Sequence, residues 1–198
     1  MRIAVLSDEE QWEELTKGIN KVEWIRVNSF KNEFEADAYI VLNGDIDEAK
    51  EITNPVILNS VIYTLKQLNA SPNVIRINGW KGFLKRNIWE VAGTVNDYAL
   101  DVFSAMDKKI FNVADETGLV TARPVAMIIN EGYFALEQKV STKEEIDIAM
   151  KLGTNYPMGP FEWAEFIGKR NIYELLNAMS ISNKRYVPSG LLKKEAFE

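Results

Sequence analysis

The chain has 198 residues, 46% of them hydrophobic, enough for one substantial core or two small ones. Its 23 Lys and Arg stand against 29 Asp and Glu, a net charge of −6, and no basic run is long enough to neutralise many phosphates, which argues against nucleic acid as a partner. There is no cysteine and no histidine, which removes disulfides, thiolate chemistry, the commonest general base at neutral pH and the commonest metal ligand.

The opening "MRIAVLSDEE" turns acidic after a short apolar run, too short for a signal peptide, and no window approaches ~18 consecutive apolar residues. The expectation is a cytoplasmic protein with no membrane partner. From residue 1 to 94, β-branched runs alternate with helical pieces: "RIAVLS", "EEQWEELTKGI", "VEWIRVNS", "AYIVLNG", "DEAKEI", "PVILNS", "YTLKQL", "VIRING" and "IWEVAG". This alternation predicts a small α/β domain with a mostly parallel sheet covered on both faces. In "EEQWEELTKGI", Trp12, Leu15 and Ile19 form one apolar stripe, with Ser7 or Asp8 as N-cap.

Residues 95–198 read as mostly helical, a second, all-α domain. "VNDYALDVFSAMDKK" is a helix capped by Asn96, and "KIFNVAD" is a short strand. "LVTARPVAMIINEGYFALEQKV" is a helix of about twenty residues whose apolar surface is too large for water to cover, so it belongs at the centre of a helical domain or at an oligomer interface. "STKEEIDIAMKLG" is a helix capped by Ser141 or Thr142 and closed by Gly153. Pro157 forbids continuation, and Gly159-Pro160 makes a tight turn into the next helix, "FEWAEFIGKRNIYELLNAM". A rigid corner between two helices accounts for each of these residues.

The stretch "STKEEIDIAMKLGTNYPMGPFEW" also resembles the C-terminal domain of 3-hydroxyacyl-CoA dehydrogenases, in which a helix ending "DxAMKxG" runs into "xxPMGPFEL". The match is carried by Ile146, Asp147, Ala149, Met150, Lys151, Gly153, Pro157, Met158, Gly159, Pro160, Phe161 and Glu162. "TGLVTARPVAMIINEGYFAL" is similar to the family's "PGFIVNRLLxPxxNEA" through Gly118, Val120, Arg123, Asn130 and Glu131, and "KRYVPSGLLKK" is similar to "xRYRPSPLLKR". The resemblance implies a helical dimerisation domain and, before it, a Rossmann domain that binds NAD and forms the cleft for a 3-hydroxyacyl-CoA. In that setting Met158, Phe161 and Trp163 are interface or acyl-pocket residues, and a homodimer and an acyl-CoA ligand are the implied partners.

The first half departs from this pattern. After the first strand comes "LSDEEQWEE", with no glycine before Gly18, and Asp8, Glu9 and Glu10 lie where a pyrophosphate needs a Gly-rich turn and a positive helix end. The domain reads as a shortened, degenerate Rossmann-like unit, and no cofactor is expected. The family's catalytic His, in "HFFNP", falls on Asn78 and the Glu that orients it, in "KLVEV", on Glu90; the family's Asn and Ser fall on Ala122 and Ile62, with Ser60 two residues before the latter. Glu90 alone is retained. Tyr63, Lys81 and Lys85 are the nearby alternatives for a base. "GWKGFLKR" reads as a loop whose Trp80 and Phe83 cover the domain junction, with Lys81, Lys85 and Arg86 solvated or, alternatively, meeting CoA phosphates.

Three functions follow from these residues. The favoured one is a degenerate dehydrogenase relative that binds acyl-CoA or a partner. The others are an active NAD-dependent 3-hydroxyacyl-CoA oxidoreductase with an atypical base, and a helical module that docks on a full-length dehydrogenase.

Overall fold

The β-branched runs do become strands. In the computed structural model, which describes residues 1–30 and 35–198, the chain divides into two units, Met1–Leu119 and Val120–Glu198. The described residues of the first unit form a seven-stranded sheet in the order β2-β1-β3-β4-β5-β6-β7: β1 (Arg2–Leu6), β2 (Glu23–Val27), β3 (Ala38–Val41), β4 (Val56–Asn59), β5 (Val74–Ile77), β6 (Ile88–Ala92) and β7 (Lys109–Asn112). Every neighbouring pair is parallel except β5 and β6, which run antiparallel with Arg76 opposite Ala92 and Ile77 opposite Val91. The expected mostly parallel sheet is therefore present.

Helices α1 (Glu9–Thr16) and α2 (Asp97–Ala105) cover one face. Leu15, Val102, Phe103 and Met106 pack there on Ile3, Val5, Ile40, Ile57, Ile75, Ile77, Trp89 and Val91. The other face is covered by irregular chain rather than by the helices the sequence suggests. "DEAKEI" makes only the single 3-10 turn Ile46–Ala49, and "YTLKQL" makes a turn closed by Asn69 with a positive φ. Both pieces are too short to meet the cost of nucleating an α-helix. Ile46, Ile52, Leu65 and Leu68 still lie over Ala4, Leu6, Val41, Val56, Leu58 and Val74. Further along this face the fully buried Arg76 is ion-paired to Asp115 and donates to the Glu116 carbonyl, while Asp115 also accepts from the Leu65 and Lys66 amides.

The change of composition at residue 95 is not the unit boundary. The helix that begins there, α2, is the crossover from β6 to the parallel strand β7 and is part of the sheet's core, so the division falls at residues 119 and 120.

The second unit consists of α3 (Ala122–Glu137), α4 (Lys143–Thr154), α5 (Pro160–Ile167), α6 (Lys169–Ser180) and α7 (Gly190–Ala196). Helix α3 is its centre, burying Ala126, Ile129, Asn130, Gly132 and Tyr133 and touching each of the other four helices. Thr142 caps α4 with Glu145 completing a capping box, as expected of one of the two candidates. The helix does not stop at Gly153; it runs to Thr154, and Asn155 takes the left-handed conformation at φ 55°. Nor is "FEWAEFIGKRNIYELLNAM" one helix. Gly168, at φ 99°, breaks it into α5 and α6. Among the described residues no helix is long and apolar enough to cross a membrane.

Candidate functional site

In an open parallel sheet, ligands bind beyond the carboxyl ends of the strands, where the strand order reverses. Here that point lies at β1, whose neighbours are β2 and β3. The turn after β1 leads straight into α1, and Asp8 caps the helix: its Oδ1 accepts from the Gln11 amide at 2.8 Å, and the Gln11 side chain accepts from the Asp8 amide at 3.3 Å. Gln11 Nε2 also donates to the Leu42 carbonyl beyond β3 at 3.2 Å. Glu9 is paired with Arg26, and Glu10 with Lys81 at 2.7 Å. The positive end of α1 therefore faces a carboxylate of its own chain, and the cations around it are held by its first-turn acids.

Two more side chains tie this edge together. Asn59, at the end of β4, donates to the Leu42 carbonyl at 3.0 Å and accepts from the Gly79 amide at 2.9 Å. Glu14, on α1, accepts from the Gly82 and Lys85 amides at 2.9 and 3.0 Å, which fixes the loop between β5 and β6 against the helix. Sequence reasoning missed both, because each acts across more than 15 positions of chain and neither belongs to a local pattern.

Asn78 follows β5, is buried, and accepts from the Trp80 amide at 3.2 Å. The pairing of β5 with β6 ends at Ile77 opposite Val91, so Asn78 and Glu90 are the next residues beyond that last pair on their two strands. Glu90 is half-buried in β6 and pairs across to Phe111 on β7. On this face Ile88 and Phe111 are 60% and 63% exposed. Ile62 is half-buried, and the Ser60 hydroxyl donates to the Tyr63 carbonyl at 2.8 Å. Tyr63 is exposed, Lys81 is ion-paired, and Lys85 is exposed, so none is the desolvated group that an unusual base requires. In the loop, Trp80 and Phe83 are buried and the Arg86 guanidinium lies over the Phe83 ring. Among the described residues of this unit the buried lysine is Lys108, whose Nζ donates to the Leu84 and Arg86 carbonyls at 2.8 and 3.0 Å; burial pushes its pKa down. Among the described residues no cluster of three or more His, Cys, Asp or Glu side chains is placed to hold a metal ion.

In the second unit Ala122 is buried within α3. The α4–α5 corner is organised by Asp147, a motif residue whose role the sequence left unassigned. Its carboxylate is buried and accepts from the Phe161 and Glu162 amides at 2.8 and 3.1 Å, capping α5 from a different helix. Glu162 accepts from the Gly159 amide at 3.0 Å and is paired with Lys151; these contacts, the Lys151 bond first, hold its carboxyl below the usual range. Phe161 is interior, with its ring 5.0 Å from that of Tyr133. Met158 and Trp163 are half-buried, and Trp163 packs edge-on against Phe166. The spacing of "DIAMKLGTNYPMGPFE" thus serves a network of helix caps. Asn130, fully buried in α3, donates to the Val187 carbonyl and accepts from the Ser189 amide, joining the "KRYVPSGLLKK" segment to the central helix.

Residues 118–196 match the family described as 3-hydroxyacyl-CoA dehydrogenase, C-terminal domain. A stretch of 91 residues is 41% identical to 3-hydroxyadipyl-CoA dehydrogenase of Escherichia coli (strain K12), covering 45% of this chain and 19% of that protein. Another, of 106 residues, is 35% identical to the probable 3-hydroxybutyryl-CoA dehydrogenase of Bacillus subtilis (strain 168), covering 51% of this chain and 37% of that one. The matched stretches thus span well under half the length of these curated relatives. Among solved structures, FadB2 of M. tuberculosis superposes with a TM-score of 0.80 at 12% identity, over 99% of this chain and 93% of that one, a likeness of fold.

Proposed function

We propose, from the match of its C-terminal unit to the 3-hydroxyacyl-CoA dehydrogenase family, that the chain is a catalytically degenerate relative that binds an acyl-CoA or a protein partner and does not transfer hydride. The observation that carries this reading is the N-terminus of α1. The turn before it has no glycine to let a pyrophosphate approach the backbone, the Gln11 amide is already engaged by Asp8, and Glu9 and Glu10 add two more negative charges. These residues do not fit a dinucleotide phosphate. The second support is Asn78. It follows the last β5 residue paired with β6 and falls where the resemblance puts a His, and a neutral amide neither takes up nor releases a proton at pH 7. Glu90 in this reading is a polar contact for a ligand and not the orienter of an imidazole. Met158 and Trp163 supply apolar contact at the helical corner.

A second copy of the chain is the proposed partner of the helical unit. Ile148 and Leu152, four residues apart on α4, are 52% and 83% exposed and share one face of the helix.

The test is a calorimetric titration with acetoacetyl-CoA and, separately, with NADH, run beside an assay of NADH oxidation in the presence of acetoacetyl-CoA. Saturable acyl-CoA binding with no NADH binding and no turnover is the expected result. NADH-dependent reduction of acetoacetyl-CoA overturns the proposal.

A further inference from the structure

A cluster of charged groups in the second unit belongs to neither site. Glu195, on α7, has a side chain only 16% exposed and meets donors from three other helices. Lys143 Nζ, at the first residue of α4, lies 2.7 and 2.8 Å from its two oxygens; Lys169 Nζ, at the first residue of α6, lies at 3.2 Å; the Tyr133 hydroxyl of α3 donates to Oε2 at 2.9 Å. Lys143 Nζ also stands 5.6 and 5.4 Å from the ring centres of Tyr133 and Phe161, and Lys169 is shared with Glu165 of α5 at 2.6 Å. One carboxylate of α7 thus faces the positive ends of two helices and the side chains of their first residues.

The other end of α7 is held by hydrogen bonds between side chains and its first residues, with no cation among them. Asn130 grips Val187 and Ser189, the Ser189 hydroxyl caps the Leu192 amide at 3.1 Å, and Glu137 accepts from the Ser189 hydroxyl and the Leu191 amide. Between the two ends, Leu192 is the one α7 residue that is fully buried. Phe197, just beyond the helix, rests edge-on to Tyr173 and stays 58% exposed. A seven-residue helix has little stability of its own, and a single buried leucine is a small apolar anchor.

We propose that α7 is a releasable strap, hinged at Ser189 and fastened at Glu195, that leaves the surface of α3 and α6 as a unit while α3 to α6 stay folded. Its release exposes Leu192 and frees the Tyr133 hydroxyl from Glu195.

Amide exchange of the full chain, read by mass spectrometry, tests this. Glu195→Gln removes the charge pairs, and Lys143→Gln removes the nearer cation. Each is expected to raise exchange in residues 190–196 by about tenfold with α3 and α6 unchanged, and the double substitution to add little, because both break the same fastening. No acceleration in 190–196, or an equal acceleration throughout α3 to α6, overturns the proposal and makes Glu195 an ordinary part of the core. Should Glu195→Gln fail to fold, Tyr133→Phe and Lys169→Gln each remove one contact from Glu195 and are read in the same way, with a smaller factor.

Discussion

Gly159 lies directly against Asp147: a Cβ at Gly159 would stand 2.2 Å from Asp147 Oδ1, closer than any side chain tolerates. The absence of a side chain at 159 is what lets a carboxylate on α4 reach the first amides of α5. Gly159→Ala must push the two helices apart and is expected to destabilise the second unit by about 3 kcal/mol. Asp147→Ala, which leaves the Phe161 and Glu162 amides without their acceptor, is expected to cost about 2 kcal/mol, and Asp147→Asn less. Urea denaturation followed by far-UV circular dichroism measures all three. A change under about 0.5 kcal/mol in Gly159→Ala contradicts the close approach.

In the first unit the pair to test is Arg76 and Asp115. Arg76 is fully buried, and Asp115→Ala removes the carboxylate facing its guanidinium, at an expected cost of about 3 kcal/mol. Replacing both, as Arg76→Met with Asp115→Ala, is expected to cost less than Asp115→Ala alone, since no buried charge is then stranded. A double-mutant cycle in urea gives the comparison, and strict additivity would sink it.

Asn59→Ala breaks the bridge between the Leu42 carbonyl and the Gly79 amide. The expected loss is about 1 kcal/mol in global stability, with faster amide exchange at Gly79 than in the β1–β3 ladder. Equal exchange at both places would mean the bridge does not hold the loop.

Acid should loosen the helical unit through its carboxylates. Glu195 is held below the ordinary carboxylate range by Lys143, Tyr133 and Lys169, against burial, which acts the other way and is the largest single influence; Glu162 is held down by Lys151 and the Gly159 amide. A carboxyl lowered on folding contributes stability that is present above its unfolded pKa and is lost as pH falls through the folded value. The groups facing Glu195 are Tyr133 from α3, Lys143 from α4, Lys169 from α6 and, through Lys169, Glu165 from α5; none of these cations changes charge in the acid range. Stability of the wild-type chain is therefore expected to fall below about pH 4.5, and the acid limb to be shallower in Glu195→Gln. Thermal unfolding from pH 3 to 7 measures this, and identical slopes in the two proteins count against the assignment.

Much of the fold was legible because it is written in local patterns. Asp8, Asn96 and Thr142 announce helix starts, Pro160 sits at a first helical turn, and the β-branched runs make the strands. What escaped depended on context. Gly153 and Asn155 are both able to end a helix, and the length of α4 decided for Asn155. Gly168 looked tolerable inside a helix until its positive φ made it a break. Residue 95 looked like a boundary because composition changes there, whereas the pairing of β6 with β7 carries the sheet past it. At the candidate site, the resemblance singled out positions 78 and 90 but not how the two strands that carry them pair. The ties made by Asn59, Glu14 and Asp147 span distant parts of the chain, and no periodicity encodes them.

The reversal of β6 against β5 means that the placing of positions 78 and 90 beyond the last pair is set by backbone register and not by the side chain at position 78. Scaffold and chemistry are separable there: the amide of Asn78 can be exchanged for another polar group while the ladder, the flanking Ile77 and Val91, and the sheet beneath stay as they are. The position of a group on this edge and the identity of that group are thus set by different parts of the sequence.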